Sequence, residues 1–325
     1  MYTLPHQGGG PNGKITARPG SILQLKNKTG LLFERMVVPH DGSMGTSSIF
    51  PCGKLKPDEF EGLLVKNLTC DEAVPTKFWN CVKTGIDPKN LEHGRYGFTQ
   101  EEVEAVPRRL REYGPYQTEA NTEWNAPAFT EGPGYLLVKM PDDVYAAAKK
   151  VYQQRKKQEE KEGDIPGHYS NFYGQDHDGN AWTMVNLDSF QRERGIISNG
   201  VRSVLTWWVG RPLQHEATYG VRVYHRNAVL LNHRDVPTTH FISAVLQVEQ
   251  DAEEGWPLFV ETRRNPIQYS EVYLQPGYMA LYEGVRLKHG RPMRFNGTDF
   301  AMVFTHNRPI DFYPESKYRD DREEF

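Results

Sequence analysis

The chain has 325 residues, 38% of them hydrophobic and 25% charged, enough for one large domain or two ordinary ones with a sizeable core. A net charge of −3 and a pI near 6.4 supply no general attraction to nucleic acid or to an anionic membrane. No apolar run approaches the ~20 residues of a membrane span, and the 22 prolines and 29 glycines imply many turns, as in a β-rich protein.

The opening residues, Met1-Tyr2-Thr3-Leu4-Pro5-His6, lack the charged-then-apolar pattern of a signal peptide. The three cysteines, Cys52, Cys70 and Cys81, cannot all pair within the chain. They form no Cys-x-x-Cys, which disfavours zinc ribbons and thioredoxin chemistry. A reduced, cytoplasmic setting is the expectation. Residues 1–130 read as an irregular N-terminal region of unknown role packed on the core, beginning with Gly8-Gly9-Gly10-Pro11. The runs Gly30-Leu31-Leu32-Phe33 and Gly62-Leu63-Leu64-Val65 are candidate strands with no assignable partner. Triplets of the glycosylation type begin at Asn27, Asn67 and Asn296, but patterns this short arise by chance.

The principal domain is expected over 131–325. Gly134 to Met140 reads as a strand closed by Pro141. A helix should follow, with Asp142 and Asp143 at its positive end and Val144, Ala147, Ala148 and Val151 on one apolar stripe. The charged run Arg155 to Glu162 reads as the solvated end of that helix. Asp176-His177-Asp178-Gly179-Asn180 lacks the register of a calcium-binding loop and reads as a turn. From about 216 the texture changes to short strands: Tyr219–Tyr224, Ala228–Leu231, Phe241–Val248, Glu271–Leu274, Met279–Tyr282 and Phe300–Thr305. Glycine- and proline-containing turns separate several of them. Strands at roughly ten-residue intervals argue for an antiparallel sandwich or barrel, so the fold class is mainly β with flanking helices (α+β).

The chemistry concentrates in Asn232-His233-Arg234-Asp235 and Lys288-His289-Gly290-Arg291-Pro292. His233 and Asp235 share one face if the segment is extended, and His289 follows after enough chain for several strands. Two imidazoles and one carboxylate are the ligand set that holds non-haem Fe(II) while leaving positions open for co-substrate and oxygen. A structural zinc site would want a fourth ligand at short spacing, which is missing. An isolated His-x-Asp is a weak signal, and a satisfied structural histidine is the ordinary reading of one.

The surrounding sequence carries more. Tyr219 to Tyr224, His233-x-Asp235, Thr239-His240-Phe241-Ile242-Ser243, Gly255-Trp256-Pro257-Leu258, Pro276-Gly277-Tyr278-Met279 and His289-Gly290-Arg291-Pro292 together resemble the prolyl 4-hydroxylase-like Fe(II)/2-oxoglutarate dioxygenases. The resemblance covers about 216–308 and implies a double-stranded β-helix, a small jelly roll with the three ligands in its mouth. It implies His233, Asp235 and His289 as catalytic metal ligands, with Fe(II), 2-oxoglutarate and O2 required and ascorbate a candidate reductant. The implied reaction is hydroxylation of an unactivated C–H bond in a prolyl or amino-acid-like substrate, small-molecule or peptidyl, with succinate and CO2 as co-products.

Two positions depart from that pattern. Leu230 stands where collagen-type members carry a tyrosine, although the earlier Tyr224 matches. Asp299 stands where they carry the lysine that pairs with the distal carboxylate of 2-oxoglutarate, and a carboxylate there would repel it. The co-substrate then needs another cation. Arg291 is the first candidate; Arg294 and Arg308 lie near in sequence, and Arg222 shares strand parity with Tyr224. His240 is as readily a strand histidine as a helper beside the ligands. His225 and His306 read as structural or exposed, and Trp207, Trp208 and Trp256 as core.

Other readings stand beside hydroxylation. The same site can close rings or desaturate an amino-acid precursor, as kainoid-type synthases do. The fold can persist as an inactive binding module, and a metal-bound water can serve a hydrolase or isomerase. Halogenation is disfavoured because related halogenases lack the carboxylate that Asp235 supplies. The sequence carries no sign of oligomeric state.

Overall fold

The computed structural model describes residues 57–86 and 126–312, apart from 67, 131, 155–158, 162–181, 229, 237, 265–266 and 311. It also describes the backbone of five earlier strands. Of these, β1 (Tyr2–Thr3) pairs with β2 (Lys14–Ile15), and β3 (Ile22–Lys26), β4 (Leu32–Pro39) and β5 (Ser47–Pro51) form a three-stranded antiparallel sheet. A short helix, α1 (Pro57–Leu63), and β6 (Cys81–Ile86) follow.

Next come β7 (Tyr135–Lys139), α2 (Asp142–Gln153), β8 (Glu159–Lys161), β9 (Trp182–Asn186) and α3 (Gln191–Val209). The remaining strands are β10 (Leu213–Tyr224), β11 (Leu230–His233), β12 (Ile242–Ala252), β13 (Leu258–Arg264), β14 (Ile267–Tyr273), β15 (Tyr278–Tyr282), β16 (His289–Arg291) and β17 (Gly297–Pro309). They fall into a seven-stranded sheet, in the order β7-β15-β12-β17-β10-β9-β8, and a five-stranded sheet, in the order β11-β16-β13-β14-β6. From β10 onward the chain steps between the two: large, small, large, twice small, large, small, large. All these pairings are antiparallel. That path is the double-stranded β-helix the sequence led us to expect.

Strand alternation explains why the two large buried clusters among the described residues are separate. Along β12, Ile242, Ala244, Leu246 and Val248 join one buried cluster with α2 and α3, whereas Val245 joins a second cluster between the sheets. The same split puts Val221 and Val223 of β10 and Ala301 and Val303 of β17 under the helices. Tyr224, Phe300 and Met302 point into the space between sheets. The expected stripe of α2 is buried, with Tyr152 added, and its N-terminal turn carries Asp142 and Asp143 after Pro141.

Several expectations change. The helix stops at Gln153, and Glu159–Lys161 of the charged run pairs with β9 instead of extending it. The 19-residue α3 was not foreseen, because Gly195, Gly200 and scattered polar residues weaken its apolar period. Gly62 to Leu63 ends α1 rather than starting a strand, and Leu64 bridges to Val138. Strand β6 completes the small sheet beside β14, so residues 81–86 belong to the β-helix. Cys70 and Cys81 are joined by a disulfide, contrary to the reduced state expected of the chain, while Cys52 and the Asp176–Asn180 turn lie outside the described residues. Asn296 exchanges hydrogen bonds with Arg226 and Glu253, which occupies its amide. No helix among the described residues is long and apolar enough to cross a membrane.

Helix α3 sits close on α2 because Gly200 has no side chain; a Cβ there would run into Cγ2 of the fully buried Val144. Gly200→Ala gains about 1 kcal/mol in helix propensity but overpacks this contact at about 1–3 kcal/mol. The expected result is a lower thermal unfolding midpoint, and a raised midpoint would show that the helices separate without cost.

Candidate metal centre

Strand pairing assembles the centre. In the β11–β16 ladder His233 lies directly opposite His289, with their ring centroids 4.6 Å apart. Asp235 follows where the chain leaves β11, its backbone N–H donating to Gly284 O at 3.0 Å. Asp235 Oδ1 lies 3.8 Å from His233 Nε2 and 3.5 Å from His289 Nε2. One ligand atom from each residue falls within 4.8 Å of the others, and no other such trio of His, Cys, Asp or Glu occurs among the described residues. His289 Nδ1 donates to Leu287 O at 2.8 Å, so Nε2 is the nitrogen that faces Asp235 and is available to a metal. Exposure rises from 2% at His289 and 7% at Asp235 to 19% at the His233 side chain, so the centre opens toward solvent past His233. The donor set fits a borderline divalent metal with open positions.

Burial alone would raise the Asp235 carboxyl. The imidazoles of His289 and His306 outweigh it, through charge and hydrogen bonding, and hold the group well below the usual carboxylate range. Asp235 is therefore an anion ready to bind a cation. The Tyr282 ring packs 4.4 Å from His289, and burial together with the Asp235 charge pushes its hydroxyl far up, so it stays a neutral hydrogen-bonding group.

Arg291 is two residues beyond His289 on the same face of β16 and is 1% exposed. Its guanidinium packs on Trp256 and Phe300, at 5.1 and 4.8 Å from the ring centroids, and Nη1 donates to Trp256 O. Nε and Nη2 have no hydrogen-bond partner among the described residues. Burial pushes the group down to about 9, against the opposing influence of Tyr224 and Tyr282, so it remains a cation at neutral pH. A buried, incompletely partnered guanidinium is costly unless an anion meets it.

The other candidates separate. Arg222 and Tyr224 both face the inter-sheet space, with Arg222 Nη1 donating to Tyr224 Oη at 3.3 Å and its guanidinium 5.2 Å from the Phe304 ring. Arg294 lies in the loop after β16, half-buried. Arg308 engages Glu216 at 3.1 Å and Gln214 at 3.3 Å. Asp299 faces the helices: it meets His225 at 3.2 Å and accepts from Tyr152 Oη at 3.4 Å. It therefore does not oppose a carboxylate inside the barrel, contrary to the expectation. His306, read as structural or exposed, is buried, with Nδ1 3.4 Å from Asp235 Oδ2, and His240 stacks on it at 3.9 Å. Trp256 is buried as expected, whereas Trp207 and Trp208 are only half-buried.

Sequence reading missed Ser243, Tyr282, Gly284 and the Arg234–Glu261 pair. Ser243 had a signal: it is a polar residue in the apolar run of β12, on the inward parity. Arg234, between two ligands, turns away from both and donates to Glu261 Oε2 at 2.8 Å and to Arg286 O. Glu261 also accepts from the Lys288 N–H at 3.2 Å, so one buried carboxylate ties the His233–Asp235 segment to the residue before His289.

No family model and no curated protein sequence matches the chain. It is similar to solved structures that include a prolyl hydroxylase from Trichoplax adhaerens in complex with a hypoxia inducible factor oxygen degradation domain peptide fragment. That pair shares 10% identity at a TM-score of 0.39, over 62% of this chain and 92% of the other. HygX from Streptomyces hygroscopicus, with nickel and 2-oxoglutarate bound, shares 12% at 0.40, over 56% and 85%. A Pseudomonas putida prolyl-4-hydroxylase shares 13% at 0.35, over 54% and 92%.

Glu261→Ala should leave the Arg234 charge buried and cost about 3–5 kcal/mol. Urea unfolding of the metal-free protein measures this, and a loss under about 1 kcal/mol, the worth of an exposed pair, would contradict the buried-tie account.

Proposed function

We propose that this chain is an Fe(II)/2-oxoglutarate-dependent dioxygenase that hydroxylates an unactivated C–H bond in a prolyl or other amino-acid-like substrate. One observation carries the reading: a buried cation, two of whose nitrogens have no hydrogen-bond partner among the described residues, shares a strand face with a His-Asp-His metal face. Two residues at ~3.3 Å rise put Arg291 roughly 7 Å along β16 from His289, about the reach of a five-carbon dicarboxylate. His233, Asp235 and His289 would hold Fe(II), and Arg291 would take the distal carboxylate of 2-oxoglutarate through those two nitrogens. Bound iron, 2-oxoglutarate and O2 supply the oxidising chemistry, with ascorbate as a candidate reductant and succinate and CO2 as co-products.

The protein's own contribution is positional. The Leu287 carbonyl fixes the His289 tautomer, and Asp235 stays ionised. Trp256, Phe295 and Phe300 form a buried aromatic wall behind Arg291 that keeps water off the anchored carboxylate. Arg222 is a second buried cation on the inward face, and it favours a substrate that itself bears a carboxylate. It also supports the second reading, oxidative cyclisation or desaturation of an amino-acid precursor. Product mass separates the two: hydroxylation adds one oxygen, and the alternative removes two hydrogens.

The test is 2-oxoglutarate calorimetry on the Ni(II)-loaded protein, which binds without turnover. Arg291→Met keeps the buried bulk and should weaken 2-oxoglutarate about 10–100-fold, the equivalent of about 1.5–3 kcal/mol for a lost charged hydrogen bond. Asp235→Ala should lose the metal. Undiminished 2-oxoglutarate affinity in Arg291→Met moves the anchor to another residue, and undiminished Ni(II) affinity in Asp235→Ala sinks the metal-centre reading.

A further inference from the structure

The two oxygens of Asp235 have different surroundings. Oδ1 faces His233 and His289, whereas Oδ2 is turned to β12 and β17, where Ser243 Oγ donates to it at 2.7 Å and His306 Nδ1 lies 3.4 Å away. Proton accounting orders this group. A hydroxyl has a single proton to give. Ser243 gives its proton to Oδ2, so the 2.9 Å contact between Ser243 Oγ and His306 Nδ1 must be donated by the imidazole. His306 is held in turn: His240 stacks on it at 3.9 Å with 28° between planes, and the Tyr219 ring lies 5.7 Å away. Tyr219 Oη meets His240 Nε2 at 3.0 Å, and Thr239 Oγ1 meets Nδ1 at 2.6 Å. On the remaining side is the Gly284 backbone, where a Cβ would come within 2.8 Å of Asp235 Cγ and of Ser243 Oγ.

We infer that Ser243 and His306 are positioning residues that reserve Oδ2 and present Asp235 to the metal through Oδ1 alone. The inference rests on the metal-centre reading above. A carboxylate free to swing can chelate through both oxygens and take a coordination position that the co-substrate needs. Here Oδ2 has a charge-assisted hydrogen bond of its own and a neighbouring imidazole donor, so turning it to the metal sacrifices both. The arrangement draws on three separate strands, and it leaves Oδ1 as the oxygen that shares space with the two imidazole Nε2 atoms.

Ni(II) calorimetry on the full chain without co-substrate tests this, paired with thermal melts of the metal-free proteins. Ser243→Ala and His306→Phe should each bind Ni(II) about 10–100-fold more weakly, the usual consequence of losing a group that orients a ligand. His306→Asn, whose side-chain amide can donate from the place of Nδ1, should recover most of that loss. Wild-type Ni(II) affinity in both Ser243→Ala and His306→Phe overturns the inference. So does a loss that follows a lowered melting midpoint and is not recovered by His306→Asn. Asp235→Ala measured alongside keeps the two claims apart. If it loses Ni(II) while the Ser243 and His306 variants keep it, only the positioning role falls; if it too binds normally, the metal centre itself falls.

Discussion

The register of β11 on β16 is the constraint from which the site follows. It sets His233 opposite His289, residues 56 apart in the chain, and sets Leu230 opposite Arg291. Because strand side chains alternate with a period of two, a one-residue slip would carry one histidine and the arginine out of the barrel together. The sheet context makes such a slip costly. Strand β16 is also bonded to β13, where Gly290 and His289 face Phe259 and Val260, and Glu261 holds both Arg234 and the Lys288 N–H. Ligands and candidate anchor are thus outcomes of one pairing.

The same small region concentrates buried charge. Asp235, Glu261 and Glu283, with Arg234 and Arg291, are each under 10% exposed. Three of the five are satisfied internally. Arg234 meets Glu261, and Glu283 accepts from Thr130 N–H at 3.0 Å, from Thr130 Oγ1 and from Arg286. Asp235 and Arg291 are the exceptions: an anion with one oxygen aimed at two imidazoles, and a cation two of whose nitrogens have no hydrogen-bond partner among the described residues. Buried charge left incomplete costs stability and calls for a reason. A metal ion at one end and a dicarboxylate reaching the other would answer both, which is why the two groups are more informative together than apart.

Much of this was readable beforehand, for physical reasons. Most strands from about 216 onward announce themselves through alternation and turn chemistry, and the α2 stripe through its helical period, whereas β13 and the three-residue β16 were not foreseen. The hidden parts depend on long-range pairing or on competing signals. Helix α3 contains glycines that weaken its pattern but allow the close approach to Val144. Strand β6 joins β14 across about 185 residues, beyond the reach of local rules. At the site, spacing put His233 with Asp235 and Arg291 with His289, but the set could be named only because the flanking motifs resemble those of a known family. His306 could not, since its nearness to Asp235 arises from β12 pairing with β17. Asp299 was misjudged because its position in a motif was read without its parity, which turns it to Tyr152 and His225.

Turnover tests the central claim most directly. Purified full-length protein, loaded with Fe(II) and given 2-oxoglutarate, ascorbate and O2, should form succinate and CO2 in equal amounts. Formation should be accelerated by the right proline-like or amino-acid-like compound and absent in His233→Ala, His289→Ala and Asp235→Ala. Succinate formed equally well by the three ligand variants, or none formed by metal-loaded wild type with or without candidate substrates, would contradict the account.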